Sequence, residues 1–358
     1  MRVAWSTAFG GLAITESCLP FGWKRAADVA SLAALIADSP PPALAPTPAS
    51  VVFETPTLRL RRVATPQATG EPIVLVAPMI NRWYVLDLLA DRSFVSLLAN
   101  FERPLYVLEW RPPRDNDDQG FKDLCGNPIK KAVEHALAAE SADAASLIGY
   151  CQGGTLSAMF AARFPKRVSR LATVCAPVRF SEGGLFRRWF DPKHLDVDLT
   201  LASSKRISAW LVHLPFWWLR PSIKTRKLTR LARSFHTEGA LEQFFASELW
   251  NSDHMDMSRG VFRTWTGDLY QRDALERGAM VVGGEAVDLA RIDQPLLVVS
   301  GDYDPITPPG AAEPLAELSS SQAAKLLRVR SGHVGVVTSP RALASQRSAL
   351  NEWLEASK

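Results

Sequence analysis

The chain has no stretch of about 18 uninterrupted apolar residues, the length a membrane-spanning helix needs, so no membrane span is expected. Its opening residues, MRVAWSTAFGGLAITESC, carry one arginine and a broken apolar stretch without a small-x-small cleavage pattern, so export is not expected either. Cysteine is scarce: Cys18, Cys125, Cys151 and Cys175 lie far apart, with no CxxC and no nearby histidine pair. This spacing speaks against a zinc cluster or a disulfide framework, so no metal is expected, and it suits reduced thiols in a cytoplasmic protein. The formal net charge is only +4 over 358 residues, which gives no reason to expect a nucleic-acid partner.

What is present is apolar material for a sizeable core. With 47% hydrophobic and 22% charged residues the composition is that of a globular chain, and it excludes disorder, collagen and a coiled coil. The length suits one large α/β domain carrying an insertion. Residues 23–37 have the apolar spacing of a short amphipathic helix, and the tract DSPPPALAPTPAS that follows holds too much proline to continue it. Beyond this arm, short β-rich runs alternate with longer helical stretches, the pattern of a mostly parallel sheet with helices on both faces. Strands are expected at 57–63, 72–78, 104–110, 145–150, 170–177, 295–301 and 325–331. Between 177 and 295 the alternation stops, and the text becomes helical, aromatic and basic. The expected division is therefore an N-terminal helix and arm at 1–50, a core in two parts at 51–177 and 294–358, and an inserted, mainly helical cap at 178–293.

The sharpest local signal is Gly149-Tyr150-Cys151-Gln152-Gly153-Gly154, directly after one predicted strand and directly before the helical TLSAMFAARF. A nucleophile at such a strand-to-helix apex is held in a strained conformation, and glycines on either side allow the close backbone approach. The N-terminus of the next helix points at the thiol, and its positive end favours the nucleophilic form. Asp304 follows the predicted strand 295–301, and His333 follows the predicted strand 325–331. Nucleophile, acid and histidine thus fall in the chain order of the α/β-hydrolase arrangement. His333 is the expected general base and Asp304 the group that orients it, with Asp302 as a rival for that role. Oxyanion donors are expected from the backbone N–H of Gln152 and from the loop Pro78-Met79-Ile80-Asn81-Arg82, with Ile80 preferred and Met79 or Asn81 close behind.

These residues carry a resemblance to the polyhydroxyalkanoate synthases, and the chain is most similar to the short class III catalytic-subunit type. The matching text is LVAPMINRWYVLDL, IGYCQGG, ELWNSD, DLYQRDALERG, VGGEAVDLARIDQP, DYDPITP and SGH, in family order from about Val51 to Val337. The resemblance implies the α/β-hydrolase fold and a cysteine acyltransferase with the triad Cys151, Asp304 and His333. Such an enzyme polymerises 3-hydroxyacyl-CoA into a polyester, and coenzyme A enters as part of the substrate, with no further cofactor. It also implies a growing polyester chain or granule surface as a partner, and a second synthase subunit or a homodimer. Two departures stand out: Pro305 takes the place of a histidine common after the aspartate, and Glu109-Trp110-Arg111 replaces an aspartate-tryptophan-glycine stretch. A cysteine-dependent thioesterase or depolymerase, and a non-catalytic granule homologue, remain as alternatives.

The cap sequence adds charge. From 187 to 233 there are eleven Lys or Arg against three acids, so Arg226 and Lys227 are candidates to receive coenzyme A phosphates, with a solvated face or an acidic partner's footprint as equal alternatives. The run WLVHLPFWWLRP at 210–221 is expected to form cap core before a product tunnel.

Overall fold

The computed structural model describes residues 40–356 except 66, 203, 213–230 and 232–236. The amphipathic helix expected at 23–37, Arg226 and Lys227, and most of the aromatic run 210–221 lie outside the described residues.

Eight strands form one sheet: β1 Ala49–Glu54, β2 Leu58–Val63, β3 Ile73–Val76, β4 Leu105–Trp110, β5 Ala145–Tyr150, β6 Val168–Val174, β7 Leu296–Gly301 and β8 Ala324–Val329. Their order across the sheet is β1-β2-β4-β3-β5-β6-β7-β8. Only β2 runs against the rest, antiparallel to both β1 and β4, and every other neighbouring pair is parallel. All seven expected strands are present, with ends shifted by up to three residues. The eighth, β1, begins inside the stretch expected to be a wrapping arm. It is an outer edge strand with Val51 and Val52 exposed, so it lacks the buried apolar pattern that marks the others.

The helices that cover the sheet are α1 Phe94–Ala99, α2 Phe121–Glu140 and α3 Gln152–Arg163. Between β6 and β7 come α4 Gly184–Trp189, α5 Val197–Ala202, α6 Ala240–Ser252, α7 Arg259–Phe262 and a π-helical stretch, Arg263–Gln271. No described residue in this interval joins the main sheet. The last helix is α8 Pro340–Glu355.

Period-two alternation sorts the strand residues onto two faces. Val74, Leu108, Leu147, Leu171 and Val298 pack with Phe121 and Ile129 of α2 and Leu156 and Met159 of α3. Leu75, Val107, Ile148, Ala172 and Val299 pack with Phe94 and Leu98 of α1 and Leu350 and Trp353 of α8. Because both faces are covered, the central strands read as continuous apolar runs, and their carboxyl ends are free to carry polar chemistry. The proline-rich arm is pinned by the fully buried Asp87, whose carboxylate accepts hydrogen bonds from Thr47 N–H at 3.0 Å, Thr47 Oγ1 at 2.8 Å and Ser93 Oγ at 2.6 Å. Among the described residues no helix is long and apolar enough to cross a membrane.

Candidate active site

Cys151 sits between β5 and α3 with φ 54° and ψ −124°, a region that a residue with a side chain enters only under constraint. Its N–H donates to the Val174 carbonyl at 2.9 Å, and its own carbonyl accepts from Gly154 N–H at 2.9 Å and Thr155 N–H at 3.2 Å. Neighbouring strand and helix thus fix the bend from both sides. The glycines permit it by close approach. A Cβ on Gly153 would strike the Val76 and Ala77 carbonyls at the end of β3, and one on Gly154 would strike the Ala176 side chain. Gly153→Ala is expected to lower stability by about 1–3 kcal/mol, because backbone carbonyls cannot swing aside as a flexible side chain can. A denaturation midpoint measured in urea checks this, and an unchanged midpoint would mean that α3 can lift from the strand end at no cost.

Asp304 lies three residues beyond β7 and is buried. Its Oδ1 accepts from Ile306 N–H at 2.8 Å and Thr307 N–H at 2.9 Å, across the turn that Pro305 begins, and its Oδ2 is 2.6 Å from His333 Nδ1. Asp302 is exposed and makes its backbone bond to Val329, so the structure brings Asp304, and not its rival, to the histidine. A carboxylate accepts and cannot donate, so Nδ1 carries the proton and Nε2 is left for exchange with another group. The His333 ring is buried against Tyr150, ring centroids 5.2 Å apart, and Tyr150 Oη donates to the His333 carbonyl at 3.2 Å. Burial alone would lower the imidazole pKa, but Asp304 foremost, then Tyr150 and Cys151, outweigh it and hold the pKa well above 6.5. Cys151, partly exposed, is therefore within electrostatic reach of His333.

Sequence reasoning missed the second sulfur of this site. Cys175 follows β6, adopts φ 48° and is fully buried. Its Sγ, an Asp304 carboxylate oxygen and a His333 ring nitrogen all lie within 4.8 Å of one another. Burial pushes the Cys175 thiol up to about 12, so it stays protonated and closed off from solvent. The trio has the donor types of a metal site, yet the histidine nitrogen that faces Asp304 is already engaged by it. The available signal was position: Cys175 lies near the carboxyl end of a predicted strand, in the same row as Cys151 and Asp304.

Tyr270 was missed as well. It is fully buried in the π-helical stretch, with Phe180 at 5.0 Å, Phe190 at 5.1 Å and Trp265 at 5.7 Å between ring centroids. Burial first, then the charges of Cys151 and Asp304, raise its hydroxyl pKa, so Tyr270 is within electrostatic reach of Cys151.

The loop after β3 is held on two sides. Trp110 Nε1 donates to the Ala77 carbonyl at 2.9 Å, and Met79 N–H donates to Gln152 Oε1 at 3.2 Å. Further along, Met255 N–H reaches the Ile80 carbonyl at 3.4 Å, Trp250 Nε1 reaches the Arg82 carbonyl at 3.1 Å, and Asp253 takes both Arg82 Nε and Tyr84 Oη at 2.9 Å. The WNSD stretch at the end of α6 therefore binds the loop, and Asp253 is engaged in it. The Glu109-Trp110-Arg111 departure noted in the sequence has a structural role here: Glu109 pairs with Arg61 at 2.7 Å and Arg111 with Glu54 at 2.6 Å, at the β1–β2 edge. In the basic segment, Arg187 pairs with Asp191 and Arg206 with Asp256.

A bend of this kind, with an acid and a histidine from later strands, can be compared with known proteins. Residues 129–340, more than half of the chain, match the α/β-hydrolase fold family model. The chain belongs to the α/β-hydrolase fold family. Residues 42–98 of this α/β-hydrolase also match the model described as the N-terminus of poly-β-hydroxybutyrate polymerase (PhaC). Its similar curated proteins include the poly(3-hydroxyalkanoate) polymerase subunits PhaC of Haloferax mediterranei, 30% identical over 86% of this chain, and of Allochromatium vinosum, 29% identical over 86% of this chain. The match spans 63% of the Haloferax protein and 88% of the Allochromatium one. The resemblance read from the motifs is borne out. Among solved α/β-hydrolase structures, an epoxide hydrolase from Bacillus megaterium aligns with TM-score 0.55 at 12% identity over 85% of this chain and 99% of its own. A hydrolase from Pseudomonas aeruginosa aligns with TM-score 0.51 at 16% identity over 86% of this chain and 98% of its own, and both support the fold alone.

Proposed function

We propose that the chain is a polyhydroxyalkanoate synthase-type acyltransferase with Cys151 as nucleophile, His333 as general base and Asp304 as the group that orients it. The observation that carries this reading is the strained Cys151 bend in a chain whose curated relatives are poly(3-hydroxyalkanoate) polymerases. Cys151 gives its proton to His333 Nε2 and attacks the carbonyl carbon of a 3-hydroxyacyl-CoA thioester. The oxyanion is met by the N–H groups of Gln152 and Ile80. Collapse breaks the carbon–sulfur bond to coenzyme A, which leaves as a thiol with the proton held by His333. The hydroxyl end of a polyester then gives its proton to His333 and attacks the Cys151 thioester, lengthening the chain by one unit and freeing Cys151. Hydrolysis competes at this step, so water has to be kept out, a task suited to the aromatic cluster around Tyr270.

Residues 178–293 form the cap in this reading, and the core is residues 51–177 and 294–358. Coenzyme A is part of the substrate, and the chemistry needs no other cofactor. A polyester granule surface, a second synthase subunit or a second copy of the chain are the partners implied, in the cytoplasm.

Incubation of the purified chain with 3-hydroxybutyryl-CoA, following free thiol and the size of the product, tests this. Thiol release with polymer is expected. Release matched by free 3-hydroxybutyrate would make the protein a hydrolase, and no release would overturn the assignment.

A further inference from the structure

Gln152 is fully buried one residue beyond the nucleophile, an unusual place for a carboxamide. Its orientation is fixed by its partner: Met79 N–H can only donate, so the atom facing it at 3.2 Å is Oε1. The other end, Nε2, is buried and bonds no group among the described residues. A fold under selection for stability alone would place an apolar residue here, since a buried donor left unpaired is costly. The bond that Gln152 does make ties the first turn of α3 to the loop after β3, and these two segments must each present an N–H to the same oxyanion. Gly153, pressed on the Val76 and Ala77 carbonyls, and Trp110, bonded to the Ala77 carbonyl, fix the root of that loop, and Met255 N–H and Trp250 hold its far side, which leaves Gln152 as the tie between Met79 and α3.

We infer that the Gln152 side chain is a positioning residue for acyl transfer: by occupying Met79 N–H it removes that amide as an oxyanion donor and sets the loop so that Ile80 N–H stands opposite the Gln152 N–H. The inference rests on the acyltransferase reading and deepens it. One residue then serves the oxyanion twice, through its own backbone amide and through the loop its side chain holds. Small errors of placement matter greatly for such donors, because an ångström of misplacement can cost about 100-fold in rate.

Gln152→Met keeps the length of the side chain and removes the acceptor. Gln152→Asn keeps the carboxamide but is one methylene too short to reach Met79. Both are expected to lower kcat for thiol release from 3-hydroxybutyryl-CoA about 100-fold with KM within about threefold of the parent. The discriminating readout is the rate at which iodoacetamide alkylates Cys151, followed by mass on its peptide. Alkylation displaces iodide at a saturated carbon and develops no oxyanion, so it needs the thiol and His333 but not the loop. It is expected to stay within about threefold of the parent in both variants. Parental kcat in both variants overturns the inference, as does a fall in alkylation that tracks the fall in kcat, which would mean that Gln152 supports the bend in general. If Gln152→Met does not fold, Gln152→Asn decides alone. A parent that alkylates at Cys151 yet releases no thiol from any 3-hydroxyacyl-CoA would instead count against the acyltransferase reading.

Discussion

Cys151→Ala is expected to abolish the proposed coenzyme A release, with residual activity at least about 10⁴-fold below the parent, while the protein keeps its stability. The size of the loss follows from the absence of a substitute. Cys175 also lies near His333, but burial pushes its thiol up to about 12, and no face of it is open to a thioester. The fold should be unaffected, since the bend is held by backbone bonds to Val174, Gly154 and Thr155 that alanine retains. Thiol release measured beside the urea midpoint separates the two effects. A variant that folds as the parent and still releases thiol at a tenth of the parental rate would remove Cys151 from the chemistry.

Asp304→Asn is expected to lower kcat by about 10³–10⁴-fold and to move its pH dependence. In the parent, Oδ2 faces the Nδ1 proton of His333, and the backbone amides of Ile306 and Thr307 hold Oδ1. Asparagine satisfies those two amides through its oxygen, which turns its NH₂ toward the imidazole and favours the wrong tautomer. The direction of the pH effect follows from the causes of the His333 shift. Burial lowers its pKa and Asp304 is the largest influence raising it, with a net position well above 6.5. In the proposed mechanism His333 has to be neutral to accept a proton from the polyester hydroxyl, so parental kcat is expected to fall as pH drops through a limb above 6.5. Loss of the carboxylate leaves burial less opposed, and the limb shifts to lower pH. A kcat profile with the limb in its parental place would contradict the assignment of Asp304.

The sheet was legible because its inner strands are covered on both faces. Runs such as Ile73–Val76 and Leu296–Val299 are apolar throughout, and the second leads into Ser300 and Gly301. β1 was hidden because an edge strand needs only one partner and need not bury its side chains, as Val51 and Val52 show. The candidate catalytic residues were legible because each follows a strand whose period is clear, and spacing along the chain then carries the order. Cys175 follows a strand too, but nothing in RLATVCAP marks that this strand lies beside the one bearing Asp304; only the register of β6 against β7 does so. Tyr270 was hidden for a related reason. In DLYQRD it reads as one more aromatic residue of a helix, and its approach to the thiol depends on how the segment after β6 folds back over the sheet. The bond that sets Met79 apart from Ile80 and Asn81, from its N–H to the Gln152 side chain, left no mark in the sequence.

The central claim is that the acyl group rests on one of two neighbouring sulfurs. Purified protein mixed with 3-hydroxybutyryl-CoA, quenched in acid within the first turnover and digested, will show where the 3-hydroxybutyryl mass is attached. The structure predicts the added mass on the peptide that carries Cys151, with none on the peptide that carries Cys175. An adduct on Cys175, or coenzyme A released in stoichiometric amount with Cys151 unmodified throughout, would contradict it.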